Sequence, residues 1–156
     1  MKLRLKEDGS IEYDGNGNLP PGIYEVTIDE IEKHYSFSPK RKELIRGLKK
    51  MLAALRDVGC ENFYLDGSFI TNKLEPGDYD ACWDISVKID WDKVKNMYPE
   101  LMEFSPPREE QKKKYCGEAF LSQAPAGFDH GKKIPFIDFF QKDRTGTSKG
   151  ILLIKL

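Results

Sequence analysis

The sequence predicts an α/β (α+β) fold in a single domain spanning residues 1–156, and three observations carry that reading. An amphipathic helical stripe with a defined start runs from Ser38 to Gly59. Apolar and polar residues alternate with period 2 from Asp78 to Trp91. Short apolar runs at 62–65, 134–140 and 150–156 have strand length and strand composition. With 156 residues, 39% hydrophobic and 33% charged, the chain is long enough for one core and too apolar to be disordered. Residues 1–35 read as an N-terminal arm or edge element and 36–156 as the core of the domain.

In chain order, Leu3 and Leu5 alternate with basic residues, and the Asp8-Gly-Ser and Asp14-Gly-Asn-Gly turn signals predict one or two short strands. Thr27 or Asp29 starts a short helix ending near Tyr35. Ser38 then caps the strongest helix with Pro39 at its first position, and Leu44, Ile45, Leu48, Met51, Leu52 and Leu55 form its buried stripe. Lys40, Arg41 and Lys42 crowd its first turn, where the helix dipole disfavours cations, so they read as a solvated basic turn or as phosphate contacts. Asn62–Leu65 is a strand delivering Asp66-Gly67-Ser68. Pro76-Gly77 turns the chain into the alternating strand. Asp90 caps a helix interrupted near Pro99, and Pro106-Pro107 opens a helical segment through about Gln123. Residues 124–131 read as a loop, with His130 in it. Ile134–Phe140 is a third strand carrying Asp138, and residues 150–156 a terminal one.

A net charge near −1 argues against a broadly basic nucleic-acid coat. Cys60, Cys82 and Cys116 include no C-x-x-C pair, and with His34 and His130 they supply a zinc cluster poorly. Reduced thiols, no signal-peptide h-region and no run of transmembrane length predict a cytoplasmic protein without membrane insertion.

The candidate chemistry lies in Leu65–Asp84, LDGSFITNKLEPGDYDACWD. On a strand Asp78 and Asp80 share one face, roughly 6.6–7 Å apart along the backbone. Two such carboxylates repel unless a cation neutralises them, and Mg²⁺ takes carboxylate and phosphate oxygens together. Asp138, expected within an apolar strand, also needs a partner there. Gly67 lets the backbone approach an anion, and Ser68 offers a hydroxyl to a phosphate oxygen. Each pattern alone is common and more often structural; their order and spacing together point to a metal-bound triphosphate.

The order G-S, then D-x-D on the next strand, then a later Asp resembles the nucleotidyltransferase superfamily with the polymerase-β-like core. Over roughly residues 20–156, LDGSFITNKLEPGDYDACWD with DFFQKDRTGTSKGILLIKL resembles small stand-alone prokaryotic nucleotidyltransferase-like proteins, some encoded in antiviral defence or toxin–antitoxin operons. The resemblance implies a minimal nucleotidyltransferase fold, a mixed sheet flanked by helices, with 36–156 as its catalytic core. It implies Gly67 and Ser68 at the triphosphate, Asp78, Asp80 and Asp138 as ligands of Mg²⁺ (or Mn²⁺), and Asp138 nearest the attacking hydroxyl. Lys149 and Arg144 are further phosphate candidates. Larger relatives append a helical domain that grips the base or acceptor, for which this chain has almost no room. Base and acceptor choice would then fall to a homo-oligomer, a partner protein from the same operon or a bound nucleic acid.

The expected activity is transfer of an NMP or dNMP from a nucleoside triphosphate such as ATP to an acceptor hydroxyl, with release of pyrophosphate. The acceptor is a nucleic-acid hydroxyl, giving template-independent chains, or a protein hydroxyl, giving AMP modification. The alternative is a non-catalytic antitoxin or regulatory module that retains the nucleotide pocket. Phosphohydrolase chemistry ranks below both, because no histidine neighbours either motif.

Overall fold

In a computed structural model describing residues 1–156, seven strands form: Gly22–Glu25 (β1), Asn62–Asp66 (β2), Tyr79–Trp83 (β3), Gly117–Leu121 (β4), Pro125–Asp129 (β5), Lys132–Pro135 (β6) and Gly150–Lys155 (β7). The helices are Ile28–Tyr35 (α1), Pro39–Asp57 (α2), Trp91–Met97 (α3), Glu109–Tyr115 (α4) and the single turn Phe136–Phe139 (α5). Five strands make a mixed sheet in the order β1-β7-β2-β3-β4, and β5-β6 form a separate hairpin. β1 is parallel to β7, β4 is parallel to β3, and β2 runs antiparallel to both its neighbours. This is the expected α+β class. No helix is long and apolar enough to cross a membrane.

Local chemistry accounts for most of the helix starts. The Thr27 hydroxyl accepts from the Glu30 N–H while the Glu30 carboxylate takes the Thr27 N–H, a reciprocal cap for α1. Ser38 caps α2 with Pro39 in its first turn, and Asp90 accepts from the Lys93 N–H to open α3. The α2 stripe is buried as the spacing predicts. With Ile31 and Tyr35 of α1, it packs in the main core with Phe63, Leu65, Tyr79, Ala81, Trp83, Ala119, Leu152 and Ile154, alternate residues of four strands. The other parity, including Cys82 and Ile151, meets only a small cluster in which Phe136 and Ile137 pack and Phe140 is buried. One sheet face is therefore covered by the core helices. The other is partly covered by α5, and its end is polar.

Several elements differ from the sequence reading. The alternating strand ends at Trp83, and beyond it Ile85 and Val87 are 51% and 103% exposed. Pairing explains the end: β2 and β4 accompany the chain only to Trp83, and beyond it only Ile89 of the alternating apolar residues returns to the core. The segment expected to stay helical to Gln123 stops at Tyr115. Cys116 takes a left-handed backbone, and a Cβ at Gly117 would lie 2.6 Å from the Tyr79 ring, so glycine lets β4 close on β3. Gln111 supports that edge strand: its side-chain oxygen accepts from the Ala119 N–H at 2.9 Å and its amide donates to the Glu100 carbonyl at 2.9 Å. Residues 125–135, expected mainly as loop, form the β5-β6 hairpin.

The expected strand at 134–140 is strand only to Pro135, after which Phe136–Phe139 make a helical turn. Its aromatic residues obey helical rather than strand spacing. Phe136 and Phe140 both meet Phe120, with ring centroids 4.2 and 5.9 Å away, and a helical turn sets residues four apart about 6 Å from each other where a strand would set them about 13 Å apart. Asp138 is therefore not a charge buried in a strand, as the sequence predicts, but is exposed on this turn.

Candidate functional site

The site is assembled by strand register. Asp66 lies opposite Asp80 in the antiparallel β2-β3 pair, and Asp80 lies opposite Glu118 in the parallel β3-β4 pair. Three carboxylates thus cross three adjacent strands in one row on the less covered face, with Asp78 just before β3. Like charges directly opposite one another destabilise a sheet, so each member needs compensation. At the two ends of the row the protein provides it. Lys149 pairs with Asp66, with both side chains nearly buried. Lys112 and Arg108 approach Glu118 at 2.7 and 3.6 Å.

The middle has no such partner. Neither Asp78 nor Asp80 forms an ion pair with a side chain. Burial pushes the Asp80 carboxyl up to about 7, and the charges of Asp78, Asp66 and Glu118 add to the effect. Burial, then the charge of Glu118, also raises Asp78. Asp66 is raised by burial despite the opposing pull of Lys149. A central carboxylate pair left without a cation, flanked by carboxylates that have theirs, suits a divalent ion on oxygen ligands.

Gly67 follows Asp66 at φ 88°, in the region that favours glycine, and a Cβ there would press on the Asp80 N–H and carboxylate at 3.2 and 3.3 Å. The chain then makes a short 3₁₀ turn, Ser68–Ile70, tied off by the Thr71 hydroxyl donating to the Ser68 carbonyl at 2.6 Å. Arg41 sets the position of this segment. It is fully buried and donates to the carbonyls of Phe69 at 2.6 Å, Thr71 at 2.8 Å and Lys73 at 2.7 and 2.9 Å. Phe37, Phe69 and Tyr35 surround its guanidinium at 4.2, 5.1 and 5.7 Å. Arg41 is therefore neither a solvated charge nor a phosphate contact; it clamps the loop that follows the Gly-Ser turn.

All the residues singled out in the sequence line one cleft of about 1080 Å³: Gly67, Ser68, Asp78, Asp80, Asp138, Arg144 and Lys149. Their roles in it differ. Asp78, Asp80 and Asp138 do not close into a three-carboxylate metal cluster, Asp138 standing on the wall formed by α5. Lys149 is engaged by Asp66. Arg144 projects from a loop that Asp143 fixes by accepting from the Thr145 and Thr147 N–H groups at 2.9 and 3.0 Å. Arg144 itself has no carboxylate partner, and Lys73 and Lys142 join it along the cleft. Apart from the Asp66–Lys149 pair, carboxylates such as Asp78 and Asp80 and cations such as Arg144, Lys142 and Lys73 thus share one concavity without pairing with each other.

Sequence reasoning missed Glu118 and left Asp66 without a role. Asp66 was legible in principle, because the residue before the Gly-Ser turn ends a strand paired to the D-x-D strand. Glu118 was not, because GEAFL follows seven helical residues with no turn signal except Gly117.

A family model described as "Family of unknown function (DUF6932)" matches residues 11–155. No curated protein and no solved structure matches the chain.

Proposed function

The chain belongs to the DUF6932 family, and we propose from the geometry of its cleft that it is a divalent-metal-dependent nucleotidyltransferase. It would transfer a nucleoside monophosphate from a nucleoside triphosphate to an acceptor hydroxyl and release pyrophosphate. The observation that carries this is the complementary mismatch inside one cleft: Asp78 and Asp80 lack a cation, while Arg144, Lys142 and Lys73 lack a carboxylate. A polyanion bound through a divalent cation satisfies both sets at once.

In this reading Asp78 and Asp80 hold Mg²⁺ or Mn²⁺. Lys149 pairs with Asp66 and the Arg108/Lys112 pair with Glu118, shaping the row without filling its centre. When bound, the cation neutralises triphosphate charge and favours ionisation of the attacking hydroxyl. Gly67 allows close backbone approach to the phosphates, the Ser68 hydroxyl donates to a phosphate oxygen, and Arg144 and Lys142 balance charge that grows on the leaving pyrophosphate. Asp138, on the facing wall, takes the proton of the acceptor hydroxyl. A cytoplasmic setting suits the three unpaired thiols.

The test is purified protein with Mg²⁺ and each labelled NTP or dNTP, resolved on a denaturing gel with pyrophosphate release measured in parallel. The expected result is a base-dependent product with stoichiometric pyrophosphate, abolished in Asp80→Asn while circular dichroism is unchanged. Wild-type turnover in that variant would refute the mechanism. A second reading, nucleotide binding without turnover in a regulatory or antitoxin module, is favoured by one observation: no three carboxylates converge on a single point. It predicts Mg²⁺-dependent nucleotide binding with no pyrophosphate from any NTP or dNTP.

A further inference from the structure

The lining of the cleft is chemically mixed. Most of its lining is charged or polar, and its three apolar residues, Ile134, Phe139 and Phe140, come from one short segment at the junction of β6 and α5. Phe140 is buried, whereas Phe139 is 54% exposed, although exposed aromatic rings are costly where nothing covers them. The ring sits on a firm base. Phe139 lies 6.2 Å from Phe140, which meets Phe136 and Phe120 at 5.8 and 5.9 Å, and Phe120 and Phe136 stack at 4.2 Å. This aromatic stack seats α5 on the sheet, so the platform beneath Phe139 belongs to the folded core. Lys142 and Arg144 follow Phe139 by three and five residues along the same lining. A ligand carrying both a flat apolar ring and several negative charges matches this lining.

We propose that Phe139 is the base-stacking residue of the nucleotide site, taking the purine or pyrimidine ring of the triphosphate on its exposed face while the phosphates run toward Arg144, Lys142 and the Asp78/Asp80 pair. This rests on the nucleotidyltransferase reading and adds the element that receives the base: the hairpin–α5 wall of the domain itself. Aromatic stacking accepts any base through its π-face, so Phe139 contributes affinity for the nucleoside without selecting the base by hydrogen bonds.

The experiment compares two probes on the full chain with Mg²⁺, by calorimetry: each of the four ribonucleoside triphosphates, and inorganic tripolyphosphate, which has the charges without the ring. Wild-type protein should bind all four nucleotides more tightly than tripolyphosphate. Phe139→Ala should weaken nucleotide binding about tenfold, within the range of a lost base stack, and leave tripolyphosphate binding unchanged. Phe139→Trp, which keeps a stacking face, should restore nucleotide affinity, and its added indole fluorescence should change with nucleotide and not with tripolyphosphate. If tripolyphosphate binds and nucleotides bind no better, or Phe139→Ala weakens both probes equally, the stacking role is overturned while the phosphate site stands. If neither probe binds wild-type protein, the nucleotide reading and the stacking role fall together.

Discussion

The two faces of the five-stranded sheet are built from alternate residues of the same strands, yet they obey opposite rules. On the helix-covered face, Phe63, Leu65, Tyr79, Ala81, Trp83, Ala119, Leu152 and Ile154 interlock with α1 and α2, and every one is buried. On the other, Asp66, Asp80 and Glu118 stand in one cross-strand row, with a small aromatic cluster beside them. The first face gains from every neighbour it acquires. The second gathers like charges and resolves only those at its ends. A sheet can hold such a row because its register is determined elsewhere, by the apolar parity that the helices bury. Stability and the candidate site thus use the same strands with little interference.

The largest effect that tests this division is expected at Arg41, the link between the two regions. Arg41→Met removes the donors from the Phe69, Thr71 and Lys73 carbonyls and should cost about 3–5 kcal/mol in urea unfolding, as buried acceptors lose their partners. Arg41→Lys should recover only part of this, because an ammonium cannot match the guanidinium fork. A loss below about 1 kcal/mol in Arg41→Met would mean that the Gly-Ser loop is held from the sheet alone.

Asp80 gives the next effect, with opposite sign. Its carboxyl is held up to about 7 in the folded protein against an ordinary value of 3.8. Between those values the folded state binds more protons than the unfolded one, so this group's contribution is greatest below the unfolded value and is lost as pH rises through about 7. Metal-free protein should therefore lose stability across that window by an amount on the order of 3 kcal/mol relative to Asp80→Asn. Urea midpoints of both proteins at several pH values in the presence of EDTA check this, and parallel curves would show that the centre of the row is not frustrated. Near neutral pH, Mg²⁺ at 100 times its dissociation constant should raise wild-type stability by about 2.7 kcal/mol and Asp80→Asn by much less. Equal thermal shifts would place the cation elsewhere.

Two smaller effects follow. Arg144→Ala should raise KM for the nucleotide several-fold while changing stability by less than about 0.5 kcal/mol, since the side chain has no partner in the folded chain. A stability loss with unchanged KM would reassign Arg144 to the structure of its loop. Val87→Ser, on the segment where alternation continues without neighbours, should be neutral within about 0.5 kcal/mol. A larger loss would show that Val87 is covered in solution.

How far the site could be read in advance depended on how local its causes were. The cap residues Thr27, Ser38 and Asp90 act within one turn and stand where their spacing puts them. The Gly67-Ser68 turn and the Asp78/Asp80 pair are likewise local, and all four residues line the cleft. The expectations that failed depended on distant partners. Arg41 looked like a surface cation because its acceptors lie 28 to 32 residues away in the sequence. Ile134–Phe140 has strand composition, yet its aromatics pack on Phe120 as a helical turn, which carries Asp138 out of the sheet.

The sequence alone determined the starts of α1, α2 and α3, the buried stripe of α2 and the identity of the central carboxylates, because capping, periodicity and strand parity act between near neighbours. Register between strands, the burial of Arg41 and the arrival of Glu118 beside Asp80 were decided only when the chain closed on itself. Pairing distant segments depends on which face the helices bury, a property of the whole core.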